Sequence, residues 1–176
     1  MYKRQVVDIP HNWDDYYGYR QLTHGNLHGT AMYEKTFTLD NSQFPISDSS
    51  FGKRYFLRFE GVGTYATVTL NGKDFGRHPV GRTTLTLDVT DALKLGENKL
   101  VVKAEHPEMI ADMPWVCGGC SSEWGFSEGS QPLGIFRPVV LEATDEIRIE
   151  PFGVHIWNDD KAGTVFVETE VKNRCV

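Results

Sequence analysis

Three segments in the middle of the chain alternate apolar and polar residues with a period of two. Tyr55, Leu57 and Phe59 alternate with Phe56, Arg58 and Glu60; Ala66, Val68 and Leu70 alternate with Thr67 and Thr69; Leu85, Leu87 and Val89 alternate with Thr86 and Asp88. Successive side chains of a strand point to opposite faces, so each segment predicts an antiparallel strand with one buried face. Asn71-Gly72 supplies the positive φ angles of a tight hairpin turn, which predicts that Val68 to Leu70 folds back onto Lys73 to Phe75. Thr90-Asp91 predicts a capped helical turn over Asp91 to Leu95, ahead of a strand over Lys99 to Ala104.

The same period predicts strands over Met32 to Leu39, where Tyr33, Phe37 and Leu39 share a face, and over Ile135 to Ala143. Thr144-Asp145-Glu146 reads as a boundary, and two more strands follow over Ile147 to Ile156 and Thr164 to Val171, with Val165, Val167 and Val171 in phase. Between the strands lie long stretches without periodicity: residues 1–30, the turn-rich Asp40 to Gly52, and 107–133. Loops of this length in a compact domain are usually functional or braced by a neighbour. Many strands, short turns and almost no helix predict an all-β, two-sheet β-sandwich.

Composition narrows the function classes more than it alters this picture. The 176 residues suffice for one domain with a good core and part of a second. A net charge of -6, with no cluster of Lys or Arg, argues against a nucleic-acid partner. No apolar run has the length of a membrane span, and the opening MYKRQVVDIPHNW lacks the apolar segment of a signal peptide. A soluble protein is expected, with periplasm and cytoplasm both open. Three Cys is an odd number, so at least one is unpaired within the chain. Cys117 and Cys120 have CxxC spacing, but no further ligand pair follows and the surrounding loop is rich in Gly, Ser and Pro. They read as loop thiols, bridged or free, and no metal or cofactor is expected. His78, His106 and His155 have no partner spacing that suggests a metal.

Six short motifs in register then carry a resemblance. They are Ile9-Pro10-His11-Asn12-Trp13-Asp14, Tyr33-Glu34-Lys35-Thr36-Phe37, Phe59-Glu60-Gly61-Val62, Val68-Thr69-Leu70-Asn71-Gly72-Lys73, Asp88-Val89-Thr90-Asp91 with Gly96-Glu97-Asn98, and Gly134-Ile135-Phe136-Arg137-Pro138-Val139. Together they resemble the N-terminal sugar-binding domain of glycoside hydrolase family 2, which holds β-galactosidases, β-glucuronidases and β-mannosidases. The resemblance implies a galactose-binding-domain-like jelly roll over residues 1–146. It also implies that 147–176 are the first strands of an immunoglobulin-like sandwich, with a (β/α)8 barrel further on carrying the two catalytic glutamates. Glycoside hydrolysis needs two carboxyl groups about 5 to 5.5 Å apart in retaining enzymes. No such element is legible in this chain, so no catalytic residue is expected in it.

The resemblance also suggests sugar contacts. An acidic residue six positions before the Gly of the Gly-Ile-Phe-Arg motif reaches the sugar in some family members, and here that residue is Glu128. A carboxylate accepting hydrogen bonds from hydroxyls suits such a role. Trp115, Trp124 and Phe126 lie in the same loop as Glu123, and an aromatic face beside polar groups suits a pyranose. Trp124 and Glu123 are the preferred pair, against a packing role for these rings. In the first loop, Asn26 between His24 and His28 stands where some family members present an asparagine. His11 and Trp13 are expected to anchor the start of the domain, and Arg137 to serve a domain-interface ion pair. The expected function is a non-catalytic sugar-binding scaffold of a β-galactosidase-like exo-glycosidase, its partners being a carbohydrate and the downstream domains. An autonomous carbohydrate-binding module is the alternative, and a structural adhesion-type sandwich a weaker third.

Overall fold

The computed structural model describes residues 4–13, 28–40, 42, 53–81, 83–107 and 133–173. Nine strands run through them: β1 (Gly29–Leu39), β2 (Arg54–Phe59), β3 (Tyr65–Leu70), β4 (Lys73–Pro79), β5 (Leu85–Asp88), β6 (Gly96–His106), β7 (Val139–Thr144), β8 (Ile147–Asp159) and β9 (Thr164–Asn173). All recorded pairings are antiparallel. One sheet has the order β1-β6-β3-β4 and a second the order β5-β2-β7, while β8 and β9 form a hairpin of their own.

The period-two residues meet where the two sheets share a single core. Tyr55, Leu57 and Phe59 from β2 and Leu87 from β5 join Ala66, Val68 and Leu70 from β3 and Leu100, Val102 and Ala104 from β6 in one buried cluster. Fully burying a Val, Leu or Phe side chain contributes about 1.5–3 kcal/mol, so this cluster holds the sheets together. The chain is thus all-β, as the alternation predicts. The hairpin after Leu70 forms with Asn71 at φ 53° and Gly72 at φ 86°, and Leu70 pairs directly with Lys73.

Two local expectations need correction. The helical turn is a 3-10 turn over Thr90–Ala92, and its N-cap residue, Val89, makes no side-chain capping hydrogen bond. The Thr90 hydroxyl is engaged elsewhere: it accepts from the Tyr55 N–H at 2.9 Å and donates to Asp88 at 2.6 Å, tying the turn to β2. The strand expected from Ile135 begins at Val139. Before it, Gly134 has φ 83° and makes an isolated bridge with Gly63, and Pro138 has no N–H to give to a ladder.

A buried amide fastens the far end of the core. Asn98, 0% exposed, donates to Lys94 O at 2.7 Å and Gly96 O at 3.0 Å. It accepts from Lys94 N at 3.1 Å and from Asn71 Nδ2 at 2.7 Å. Asn71 in turn donates to Ala92 O at 2.8 Å and accepts from Lys99 N at 2.9 Å. The β3–β4 turn, the 3-10 turn and the start of β6 are therefore locked by two asparagines.

The outer face of β2 carries Arg54, Phe56 and Arg58. Arg58 pairs with Glu142 at 2.6 Å and Glu60 at 2.7 Å, and Arg54 with Asp88 at 2.7 Å. Burial opposes the charge of Asp88, yet hydrogen bonds from Thr90 and Arg54 hold its pKa below the usual carboxylate value. Phe56 points away from the core but is only 2% exposed. The Arg148 guanidinium of β8 lies 3.4 Å from its ring centroid, and Arg148 pairs with Glu150 at 3.0 Å. This stack joins the hairpin to the sheet.

Candidate functional site

Of the residues proposed from sequence to touch sugar, Asn26, Glu123, Trp124 and Glu128 all lie outside the described residues, as do His24, Trp115, Phe126, Cys117 and Cys120. What the structure does place is the four points that flank their two segments, 14–27 and 108–132. Those points are paired. At the first pair, β1 starts beside the end of β6, with Gly29 opposite His106. His28 Nδ1 donates to Pro107 O at 3.2 Å, and its ring stacks on His106 with centroids 5.1 Å apart and an interplanar angle of 2°.

At the second pair, Asn12 Oδ1 accepts from Leu133 N at 3.2 Å, and His11 N donates to Ile135 O at 2.7 Å. The His11 imidazole hydrogen-bonds Tyr33 OH at 2.8 Å, and Trp13 packs partly buried against the core. His11 and Trp13 thus anchor the N-terminal segment, as expected. Gly134 fits here because a Cβ would run into Tyr33 OH and reach 3.0 Å from His11 O. Burial raises the Tyr33 pKa above the ordinary phenol value, partly offset by a hydrogen bond with the Ile135 backbone.

The Gly63-Thr64 link between β2 and β3 bridges the two pairs. Gly63 N donates to Gly134 O at 2.9 Å and Thr64 N to Glu105 O at 2.8 Å. Thr64 Oγ1 lies 2.6 Å from His106 Nδ1. His106 is 1% exposed, and burial, with the neighbouring His28, lowers its pKa to about 4. Its ring is therefore neutral at pH 7. Sequence reasoning considered His106 only as a metal ligand and passed over Thr64, because no local spacing joins positions 28, 64 and 106.

Three further residues considered from sequence are also placed. Arg137 is exposed, with its guanidinium 5.8 Å from the Phe136 ring centroid. His78 Nε2 bonds Phe75 O at 2.7 Å, and His155 is exposed on the hairpin. Among the described residues no group of three or more His, Cys, Asp or Glu side chains could hold a metal ion.

With this frame in view, residues 13–113 match the family model for the glycosyl hydrolase 2 galactose-binding domain-like domain. A β-glucuronidase from Bacteroides fragilis is 34% identical over 146 residues, which is 82% of this chain and 18% of that protein. A β-galactosidase from Bacteroides ovatus is 27% identical over 179 residues, 96% of this chain and 18% of that one. Among solved structures, a putative β-galactosidase from Bacteroides fragilis superposes with a TM-score of 0.75 at 28% identity, covering 99% of this chain and 25% of that one. The chain spans less than a fifth of the length of these curated relatives.

Proposed function

The chain belongs to the galactose-binding domain-like family of glycosyl hydrolase 2, and from that premise we propose that it is a non-catalytic sugar-binding scaffold of an exo-acting β-glycosidase. The observation that carries this reading is the pairing of both loop stems on one hydrogen-bonded frame. Segments 14–27 and 108–132, which hold Asn26, Glu123, Trp124 and Glu128, have flanking residues that pair with one another although 94 positions separate their starts at Trp13–Asp14 and Pro107–Glu108 by chain count. A carbohydrate site needs polar and aromatic groups brought together from separate parts of the chain, and paired flanking residues would allow that.

Two of the described carboxylates, Glu105 and Asp88, suit support better than acid catalysis. Glu105 is held below its ordinary pKa chiefly by its hydrogen bond from Lys103, and Asp88 is likewise lowered. A general acid for glycoside cleavage needs the opposite shift.

The domain division at Glu146 belongs to the same proposal. On one face of the hairpin, Ile147, Ile149, Val154, Ile156, Val165, Val167 and Val171 are all exposed. Such a face is the inner side of a sandwich, and a two-stranded hairpin alone is marginal in water. Residues 147–176 would open an immunoglobulin-like sandwich whose other strands cover this face. The barrel with the catalytic glutamates would follow. Hairpin amides should exchange rapidly in the 176-residue chain and become protected in a longer one.

The sugar proposed from the sequence motifs is a β-galactoside; relatives named β-glucuronidase make a β-glucuronide the comparison. NMR titration of the chain with methyl β-galactoside and methyl β-glucuronide tests the reading. Weak binding, on the order of millimolar, is expected, because a small sugar gains little free energy from half a pocket. The shifts should concentrate at 28–30, 105–107 and 133–135. Micromolar affinity would favour an autonomous binding module, and no shift at these stems with either sugar would overturn the proposal.

A further inference from the structure

Only Asp145 and Glu146 join the sandwich to the hairpin, since β7 ends at Thr144 and β8 begins at Ile147. So short a link leaves the direction of the hairpin to the contacts beside it. The face of β8 turned to the sheet carries Arg148 and Glu150, and Arg148 stands directly opposite Lys172 of β9. The Arg148 guanidinium lies 3.4 Å from the Phe56 centroid, and that of Arg54, two residues back on β2, lies 4.9 Å from the same centroid. Three cations thus gather at the junction. Like charges at this separation repel, and like charges directly opposite one another destabilise a strand pair. Each guanidinium has its own acid: Arg54 pairs with Asp88 at 2.7 Å, while Glu150 accepts from Arg148 Nε at 3.3 Å and Nη2 at 3.0 Å and reaches the exposed Lys172 at 3.8 Å. The Arg148 and Glu150 side chains are 11% and 15% exposed, so solvent screens little of their charge.

We propose that this junction is a charge-set hinge: Arg148 on Phe56 is the latch that fixes the direction of the hairpin, and Glu150 is the group that lets the latch close beside Arg54. The attraction of a guanidinium for an aromatic face acts only at short range. Repulsion between two guanidinium groups reaches further, so without Glu150 the balance turns against closure. A tilt about Asp145 and Glu146 then carries Arg148 away from Phe56 and Arg54 together. The exposed Lys53–Asp145 pair beside the link contributes little to this balance. Whatever sugar the sandwich binds, the latch sets the direction in which β8 and β9 leave it.

The test uses the 176-residue chain with Glu150→Gln, with Arg54→Met, and with both. NMR reads two quantities: residual dipolar couplings of β8 and β9 against those of β2 and β6, which report the direction of the hairpin, and the ring-current shift of the Arg148 Cδ protons, which reports the latch. Losing a hydrogen-bonded charge partner shifts such an equilibrium by roughly tenfold, so Glu150→Gln should average the hairpin couplings and diminish the Arg148 shift. Arg54→Met alone should leave both as in the parent. Added to Glu150→Gln it should recover most of both, because the repulsion has gone. The Trp157–Phe166 stack, with centroids 5.6 Å apart at the far end of the hairpin, should persist in every variant. Unchanged couplings and shift in Glu150→Gln overturn the proposal, as does a double variant no better latched than Glu150→Gln, or an Arg54→Met chain that itself loosens the hairpin. Loss of the Trp157–Phe166 contacts together with the latch overturns it as well, since that marks unfolding of the hairpin and not rotation about the link.

Discussion

Replacing Asn98 by Ala removes four hydrogen bonds from the interior at once: two donated to Lys94 O and Gly96 O, and two accepted from Lys94 N and Asn71 Nδ2. Each such bond contributes about 0.5–1.5 kcal/mol net, which gives a range of roughly 2–6 kcal/mol. Lys94 is exposed, so its backbone groups can turn to water, and the expected loss lies in the lower half, about 3 kcal/mol. Asn98→Asp separates geometry from chemistry. It keeps the shape and the acceptor but turns an oxygen towards two carbonyls, so at neutral pH it should be at least as damaging as Ala. Acidification that protonates the new carboxyl restores a donor and should recover part of the loss. Urea unfolding followed by far-UV circular dichroism, with amide exchange on β3 and β6 to localise the change, measures both. Asn71→Ala in each background gives the coupling across the 2.7 Å bond, expected near 1 kcal/mol. A loss below about 1 kcal/mol for Asn98→Ala, or an Asp variant as stable as the parent at pH 7, would refute the account of this amide as a structural lock.

Protonating His106 should destabilise the fold. Its folded pKa of about 4 lies below its unfolded value of 6.5, so between those limits the unfolded chain binds more protons and stability falls as pH falls. The full effect is about 3 kcal/mol, present above pH 6.5 and lost towards pH 4; His28 and Thr64 face the ring, and the adjacent Glu105 is paired with Lys103 and Arg77. Urea midpoints across this range should slope in the parent and flatten in His106→Phe. Gly134→Ala imposes a side chain at φ 83° and drives it into Tyr33 OH, for an expected loss of roughly 2–4 kcal/mol by thermal unfolding, relieved in part by Tyr33→Phe. Arg148→Ala uncovers the Phe56 ring, which should cost about 1–2 kcal/mol and speed amide exchange in β8 while leaving β3 and β6 protected.

Much of the architecture was legible in the chain itself. Tyr55, Leu57 and Phe59, and the matching sets in β3 and β5, repeat one local rule, that alternate side chains share a face, and burial of that face suffices to call for a sheet. Asn71-Gly72 was readable for a similar reason, since the turn depends on two adjacent φ angles. The hairpin after Glu146 also kept its phase, with Val165, Val167 and Val171 on one face. Gly96-Glu97-Asn98 was legible as part of the family resemblance, but not as the place where a buried amide binds three elements.

Where the reading failed, the deciding partner lay far along the chain. The Thr90 hydroxyl could serve as a cap in isolation, but β2 brings the Tyr55 N–H to it. Thr64, His106 and His28 share no spacing, yet they meet because β1 pairs with β6 and β6 with β3. Alternation fixes which side chains face inward, since that depends on neighbouring residues alone. Which strand lies beside which depends on the summed packing of the whole core, and only the folded chain decides that.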